Sequence, residues 1–379
     1  MDFNFTDEQK QFADALRRWA GKDYGFEQRR KIIQSPQGVS NQAWDTLVEL
    51  GVTALPVPEA QGGFGGSAVD LLVVMQELGR ALVVEPYLAT VIGARMLKLG
   101  GRHEKLLEQV ASGELKLACA LQEKQARYDL ANIATRAEAI AGGHVLHGAK
   151  SVAVHGGQAG MLMVSARGSG QPGDLAGISL FVVPADAPGV TVRDYRTIDG
   201  LRAADIAFDN VQVGDDAVLG GAGAGWEIVD AGADYGAALL CAEAVGAMEA
   251  LNAATLEYLK TRQQFGVSIG KFQTLQHRMV DMFIQQEQAR SMATLAAVRV
   301  DGNDAVERRR TVSAAKARVG QALKYVGQQA IQLHGGMGVT DEMPASHYFK
   351  RLSMIELTLG DTDHHLARFA SQPGFRDAD

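Results

Sequence analysis

Cysteine is almost absent from this chain. Only Cys119 and Cys241 occur, far apart and in no metal-ligand spacing, so neither a disulfide framework nor a zinc site is expected. Aromatic residues make up 6%, and 37 basic residues against 44 acidic ones give a formal net charge of -7. A nucleic-acid partner needs a basic surface and stacking platforms, so that class of function is set aside. No uninterrupted stretch approaches the roughly 20 apolar residues of a membrane span. The acidic start Met1–Glu8 has neither signal- nor transit-peptide character, and a cytosolic protein without a membrane partner is expected. No GxGxxG leads from a strand into a helix, which excludes a Rossmann-type site. Repeats and low-complexity tracts are missing as well. What remains is 46% hydrophobic and 21% charged over 379 residues, an ordinary globular balance with room for two or three packed domains.

The first third has helical periodicity. Thr6 and Gln9 form a capping box ahead of Phe12, Leu16 and Trp19, and a second helix starts near Ser40, carries Trp44, Leu47 and Val48, and ends at Gly51. The glycine-rich stretch Pro56–Gly66 lacks the Lys-Ser/Thr of a P-loop and follows no strand, so it reads as a structural loop. Helices are expected again at 69–82, 88–99 and 104–110. From about 114 the pattern changes to short apolar or alternating runs punctuated by glycine, proline and aspartate, at 115–121, 134–140, 144–147, 161–166, 178–183, 190–195 and 205–213. A compact antiparallel barrel or sandwich is expected there. Beyond a glycine-rich connection ending at Gly225, helical stripes return. Leu240, Ala244, Met248, Leu251, Thr255 and Leu259 mark one, and Val280, Phe283, Ile284, Glu287, Ser291, Thr294, Leu295 and Val298 the next. Asp301–Arg310 reads as a solvated turn between helices, followed by a helix over 312–334 and a last one from about Thr362. The expected architecture is an α+β multidomain chain: an N-terminal helical domain (1–113), a middle β domain (114–221) and a C-terminal helical bundle (222–379).

Two segments of the C-terminal third carry chemistry. In the first, Ala330-Ile-Gln332-Leu-His334-Gly335-Gly336-Met-Gly338, a helix with Val312, Ala315, Val319, Leu323, Val326, Ala330 and Leu333 on one face runs into glycines. Those glycines are able to take positive φ, either as a helix cap and nothing more or as a close approach to a ligand. In the second, Tyr258–Gln273, Arg262 stands just after a long helix, Phe265-Gly266 closes a turn and Phe272-Gln273 opens the next helix. Arginine forks onto phosphate and glycine lets main chain come near, so this spacing suits a dinucleotide diphosphate, although a lone surface arginine has no such meaning.

Together the two segments resemble the paired pattern of the acyl-CoA dehydrogenase family, and the resemblance runs from end to end of the chain. It implies that family's fold, with flavin adenine dinucleotide (FAD) between the β domain and the C-terminal bundle. It further implies α,β-dehydrogenation of an acyl-CoA thioester with hydride transfer to the flavin, and an electron-transferring flavoprotein as acceptor. Arg262, Phe265 and Gln273 correspond to contacts with one subunit's FAD, beside which the Phe272 ring offers an aromatic face to an adenine or ribitol, and Gln332, Gly335 and Gly336 correspond to contacts with a neighbouring subunit's, which implies a homotetramer or a heterotetramer with a homologous chain. Within the family the chain is similar to small subunits of pimeloyl-CoA dehydrogenases, through Arg127-Tyr-Asp-Leu, Cys241–Met248 and Leu359–Leu366.

The resemblance also shows departures. The family's usual catalytic glutamate falls on Leu359, and the alternative glutamate position falls on Gly236, so neither base is present. Asp361 is the nearest replacement, although aspartate there is also a preferred N-cap of the last helix, and Asp234 is a second candidate. Asp361-Thr-Asp363-His364-His365 has residue types that ligate metals, but the adjacent histidines point to different helix faces and no metal is expected. In the β domain Gln122–Asp129 keeps only Glu123 and Asp129 of the family's Thr-Glu-Pro-x-x-Gly-Ser-Asp. Val152-Ala-Val154-His155 replaces its Trp-Ile-Thr-Asn, which reads as strand core where the aromatic wall of the flavin is lost. Two functions follow as expectations: an active FAD-dependent acyl-CoA dehydrogenase, alone or as one subunit of a heteromer, or a non-catalytic homologous subunit that completes the FAD site of an active partner.

Overall fold

The computed structural model describes residues 5–374. The acidic start before Phe5 and the end of the chain lie outside them. The N-terminal part forms α1 (Asp7–Asp23), α2 (Phe26–Gln34), α3 (Asn41–Glu49), α4 (Ala68–Ala81), α5 (Tyr87–Gly100) and α6 (Glu104–Ala111). Strands follow as β1 (Leu117–Ala120), β2 (Arg136–Ile140), β3 (Gly143–Val154), β4 (Met161–Arg167), β5 (Ile178–Pro184), β6 (Val190–Arg196), β7 (Arg202–Gly214) and β8 (Val218–Leu219). The remainder is α7 (Trp226–Thr261), a hairpin of β9 (Gln263–Gln264) and β10 (Val267–Ser268), α8 (Gln273–Val300), α9 (Ala305–His334), α10 (Pro344–Leu357) and α11 (Thr362–Ala370).

The chain divides into two compact units, one holding residues up to Lys31, Ser67–Val83 and the chain from Ala237 on, the other holding Ile32–Gly66 and Val84–Gly236. The second unit is built on a sheet of order β6-β7-β3-β2-β4-β5-β8, with β1 joined to β4. Its pairings are antiparallel except β1–β4 and β2–β4, which run parallel. The β2–β3 hairpin lies between β1 and β4 in sequence and reverses the chain twice, so β4 returns in the direction of β1. The sheet is therefore mixed where an antiparallel one was expected. Leu146, Leu162, Val164, Phe181, Ile206 and Phe208 fill its interior. One buried ion pair is set into it: Lys150 Nζ lies 2.7 Å from Glu123 Oε1, whose carboxylate also accepts the amides of Ala134 and Thr135. That web holds the Glu123 carboxyl down at about 2, because the Lys150 charge and hydrogen bonds outweigh the burial that would raise it.

The first unit is helical. Thr6 and Gln9 form the expected capping box of α1. Where α4 crosses α7, Gly246 and Gly79 are indispensable: a Cβ on the first would stand 1.8 Å from Gln76 O, and one on the second 2.1 Å from Glu243 O. The stripes foreseen on α7 and on 312–334 are both buried. α7 is long and apolar enough to cross a membrane by length and composition, but 78% of its apolar window is buried in protein. α8 departs from expectation. Its core face is Met282, Ala289, Ala293, Ala296, Ala297 and Val300, whereas Val280, Phe283, Ile284 and Leu295 face outward, 56%, 57%, 44% and 41% exposed. Small alanines let α8 sit close to its neighbours, and its larger apolar residues are left on the surface. α9 begins at Ala305, so only 301–304 is the turn that was expected to reach Arg310. Two helices had no sequence forecast, α2 and α10. α10 starts with Pro344 in its first turn and is fastened to α7 by Arg351, which pairs with Glu243 at 2.5 and 2.8 Å.

Candidate functional site

α7 ends at Thr261, and the chain reverses at once through β9 and β10. The reversal residues Phe265 and Gly266 both have positive φ, 55° and 76°. Two consecutive left-handed residues are the pattern of a type I′ hairpin, whose twist matches the strands and whose usual residues are asparagine and glycine. Here the first is phenylalanine, and its ring is 90% exposed. The amide of Ile269 donates to Arg262 O at 2.9 Å and closes the loop. Phe272 caps α8, Gln273 is that helix's first residue, and the Phe265 and Phe272 rings meet edge to face at 6.2 Å.

α9 ends at His334, and Gly335 takes φ 60°, ψ -144°. Of the three glycines able to take positive φ only Gly335 does. Gly338 serves close packing instead, since a Cβ there would lie 2.7 Å from Ile331 O. At Gly335 and Gly336 a Cβ would meet nothing within 4 Å, so their main chain is open.

One contact joins the two segments. The His334 ring stacks on Tyr258 with centroids 4.5 Å apart and planes at 26°. His334 Nδ1 lies 2.8 Å from Ala330 O and donates to it, burial lowers the pKa of the ring, and the neutral imidazole acts as a spacer. The Tyr258 carbonyl in turn accepts the Arg262 amide at 2.8 Å. Arg262, Phe265, Phe272, Gln273, Gln332, Gly335 and Gly336 are all exposed, and this stack links the two loops that carry them. An exposed guanidinium, unshielded glycine amides and side-chain amides are a donor set that fits a dinucleotide diphosphate.

The candidate carboxylates are placed differently. Asp361 is the N-cap of α11, with Oδ1 accepting the His364 amide at 2.8 Å. Before it, Leu359 and Gly360 both have positive φ, 57° and 108°. Asp234 is 2% exposed in the body of α7, and Gly236 is buried in the same helix. In the sheet unit Val152 is no part of the core: it is 41% exposed with φ 53°, inside the register shift between Lys150 and Ala153 of β3. A β-branched residue in that region is strained. Sequence gave no sign of it, because alternating valines look the same in a regular strand.

Models of three acyl-CoA dehydrogenase domains match the chain in succession, the N-terminal domain over residues 6–114, the middle domain over 118–211 and the C-terminal domain over 223–372. The chain is similar to the mitochondrial isovaleryl-CoA dehydrogenase of Solanum tuberosum, 29% identical over 370 residues that cover 95% of this chain and 89% of the relative. Among solved structures it resembles an FAD complex of PigA, with a TM-score of 0.89 at 25% identity over 99% and 100% of the two chains. It also resembles the Tcur3481–Tcur3483 steroid ACAD, with a TM-score of 0.86 at 27% identity over 96% and 97%. The paired loops joined through Tyr258 and His334 and the succession of domain models lead to one assignment: this chain belongs to the acyl-CoA dehydrogenase family.

Proposed function

We propose that the chain is an FAD-dependent acyl-CoA dehydrogenase that works as one subunit of a heteromeric enzyme. The observation that carries this reading is the Tyr258–His334 stack, which links the Arg262–Gln273 loop and the Gln332–Gly336 loop within one chain. Both loops then meet the same FAD, whose site is completed by a neighbouring chain. Arg262 forks onto the diphosphate, the amides of Gly335 and Gly336 and the side chains of Gln273 and Gln332 supply further donors, and Phe265 and Phe272 offer ring faces. FAD, when bound, supplies the hydride acceptor for the β-carbon of the acyl thioester, and an electron-transferring flavoprotein takes the electrons onward.

The α-proton needs a carboxylate near the thioester. Leu359 cannot accept it. Asp361 is the carboxylate this turn offers, yet its position at a helix N-terminus favours the anion and weakens it as a base. Full turnover is therefore assigned to an assembly with a homologous, glutamate-bearing chain. The outward apolar residues of α8, Val280, Phe283 and Ile284, support a partner contact. The pairing named for the Tcur3481–Tcur3483 steroid ACAD is consistent with this.

The test is to purify the chain alone and co-expressed with such a homologue, and to measure bound flavin and its bleaching by acyl-CoA. Turnover confined to the co-expressed complex is the expected result. Full turnover by the isolated chain would remove the heteromeric part of the proposal, and a flavin-free complex would remove the whole.

A further inference from the structure

Lys316 is 1% exposed, on a helix face otherwise lined by Val312, Ala315, Val319 and Leu323. All three donors of its ammonium are used on main-chain carbonyls: Ile355 O at 2.9 Å, Glu356 O at 3.0 Å and Gly360 O at 2.7 Å. The first two belong to the last turn of α10, where carbonyls lack helical partners and a cation is favoured. The third lies beyond Leu359. One side chain therefore ties the end of α10 to the start of α11 across the intervening turn.

Other residues of the same α9 face complete the clamp. Ser313, Lys316, Gly320 and Lys324 recur at helical spacing. His365 Nε2 lies 2.9 Å from Leu359 O, and its Nδ1 lies 3.4 Å from Ser313 Oγ. A Cβ on Gly320 would stand 2.4 Å from Thr362 Oγ1, so glycine lets α11 come in. Lys324 pairs at 2.7 Å with Glu356, which also accepts the amide and hydroxyl of Thr362 at 3.1 and 3.0 Å. What this clamp holds is strained, because leucine at φ 57° brings its Cβ too close to the following carbonyl oxygen. Strain of that kind persists where the surroundings over-determine the backbone, and such places cluster at reaction sites.

We infer that Lys316 is a positioning residue of the reaction centre: by gripping the carbonyls on both sides of Leu359 it fixes the direction in which the side chain at 359 is presented. The inference rests on the acyl-CoA dehydrogenase reading, which puts position 359 where the family's base stands. The turn is thus retained as an oriented platform although the residue on it has no acid–base chemistry.

The test puts a carboxylate on the platform. FAD-loaded Leu359→Glu is compared with the unaltered protein and with the double variant Lys316→Met/Leu359→Glu, by single-turnover flavin bleaching with butyryl-CoA and octanoyl-CoA. Leu359→Glu should bleach at least about tenfold faster than the unaltered protein, and adding Lys316→Met should cost about tenfold or more of that rate. FAD content and thioester Kd should change by less than about twofold, the split expected when orientation rather than binding is lost. A double variant within about twofold of Leu359→Glu in rate overturns the inference. Hydrogen exchange checks the clamp without turnover. In Lys316→Met, amides 362–365 should lose protection while those around Val319 keep it, and unchanged protection at 362–365 also overturns the inference. An inert but FAD-bound Leu359→Glu overturns the placing of 359 at the reaction centre. Failure of the unaltered chain and its co-expressed complex to hold FAD overturns the acyl-CoA dehydrogenase reading itself, a separate result.

Discussion

At position 361 a cap and a base make opposite demands on one carboxylate. A cap needs only an acceptor for the His364 amide, which asparagine supplies about as well as aspartate, whereas a base needs a titratable oxygen. Asp361→Ala should therefore lower stability by about 1 kcal/mol and Asp361→Asn by much less, read as urea midpoints. If Asn abolishes flavin bleaching in the assembled enzyme while stability holds, Asp361 is the base after all. The neighbouring His365 makes a pH prediction. Burial, helped by the nearby Lys316 charge, pushes its pKa down from 6.5 to about 2. Between those values the unfolded chain binds one more proton than the folded one. The ring's contribution is complete above pH 6.5 and is lost as pH falls, at up to about 1.4 kcal/mol per pH unit. His365→Gln should make the fall in thermal midpoint between pH 7 and 4.5 shallower by about one proton's worth, and an unchanged slope would rule the effect out. Little of this was legible beforehand. The Asp-x-Asp-His-His run was visible, but whether its groups are caps, clamps or ligands depends on Ser313 and Lys316, some 50 residues away in sequence. Lys316 did leave a trace, as a lysine beside Ala315 on an apolar face.

Among the elements, those with strong apolar periodicity and a cap were found, and those defined by contacts elsewhere were not. α1 and α9 were legible because a capping box and a seven-residue buried stripe are local facts. α10 was missed because Pro344 reads as a stop, although proline in a first turn is compatible with a start, and because its anchor Arg351–Glu243 is remote in sequence. The hairpin after α7 shows the same limit: Phe265-Gly266 was legible as a turn, its handedness was not. That handedness gives a prediction in which stability and function separate. Phe265 loses almost no burial on replacement, so Phe265→Asn should relieve the left-handed strain and raise the stability of the FAD-free protein by about 0.5–1 kcal/mol. FAD affinity, measured by flavin fluorescence titration, should fall by about tenfold, the worth of one aromatic contact. An unaltered affinity would show that the exposed ring faces something other than the cofactor.

For the whole molecule, the helical, β, helical order was readable because the period of the apolar pattern changes from about 3.6 to 2 and back. What the molecule does with its surface was not, since periodicity marks an apolar face without saying whether this chain or another covers it. α8 is the case in point: Phe283 and Ile284 marked its helical stripe, and they lie outside because Ala289, Ala293 and Ala296 already fill the interior face. Val280, Phe283 and Ile284 sit three and four residues apart and form one apolar strip on the helix surface. Water against such a strip is unfavourable by about 25 cal/mol per Å² of apolar area, a cost that association removes. Phe283→Lys places a charge in that strip without touching the alanine face. The variant should keep its helical circular dichroism and its thermal midpoint as a separate chain, while sedimentation shows dissociation to smaller species at micromolar concentration. Because the FAD site is proposed to be completed by a neighbouring chain, flavin should be lost in step with the assembly, and adding excess FAD should push sedimentation back toward the larger species by mass action. A variant that stays assembled, or one that dissociates and still holds a full complement of flavin, would separate the α8 strip from the cofactor site.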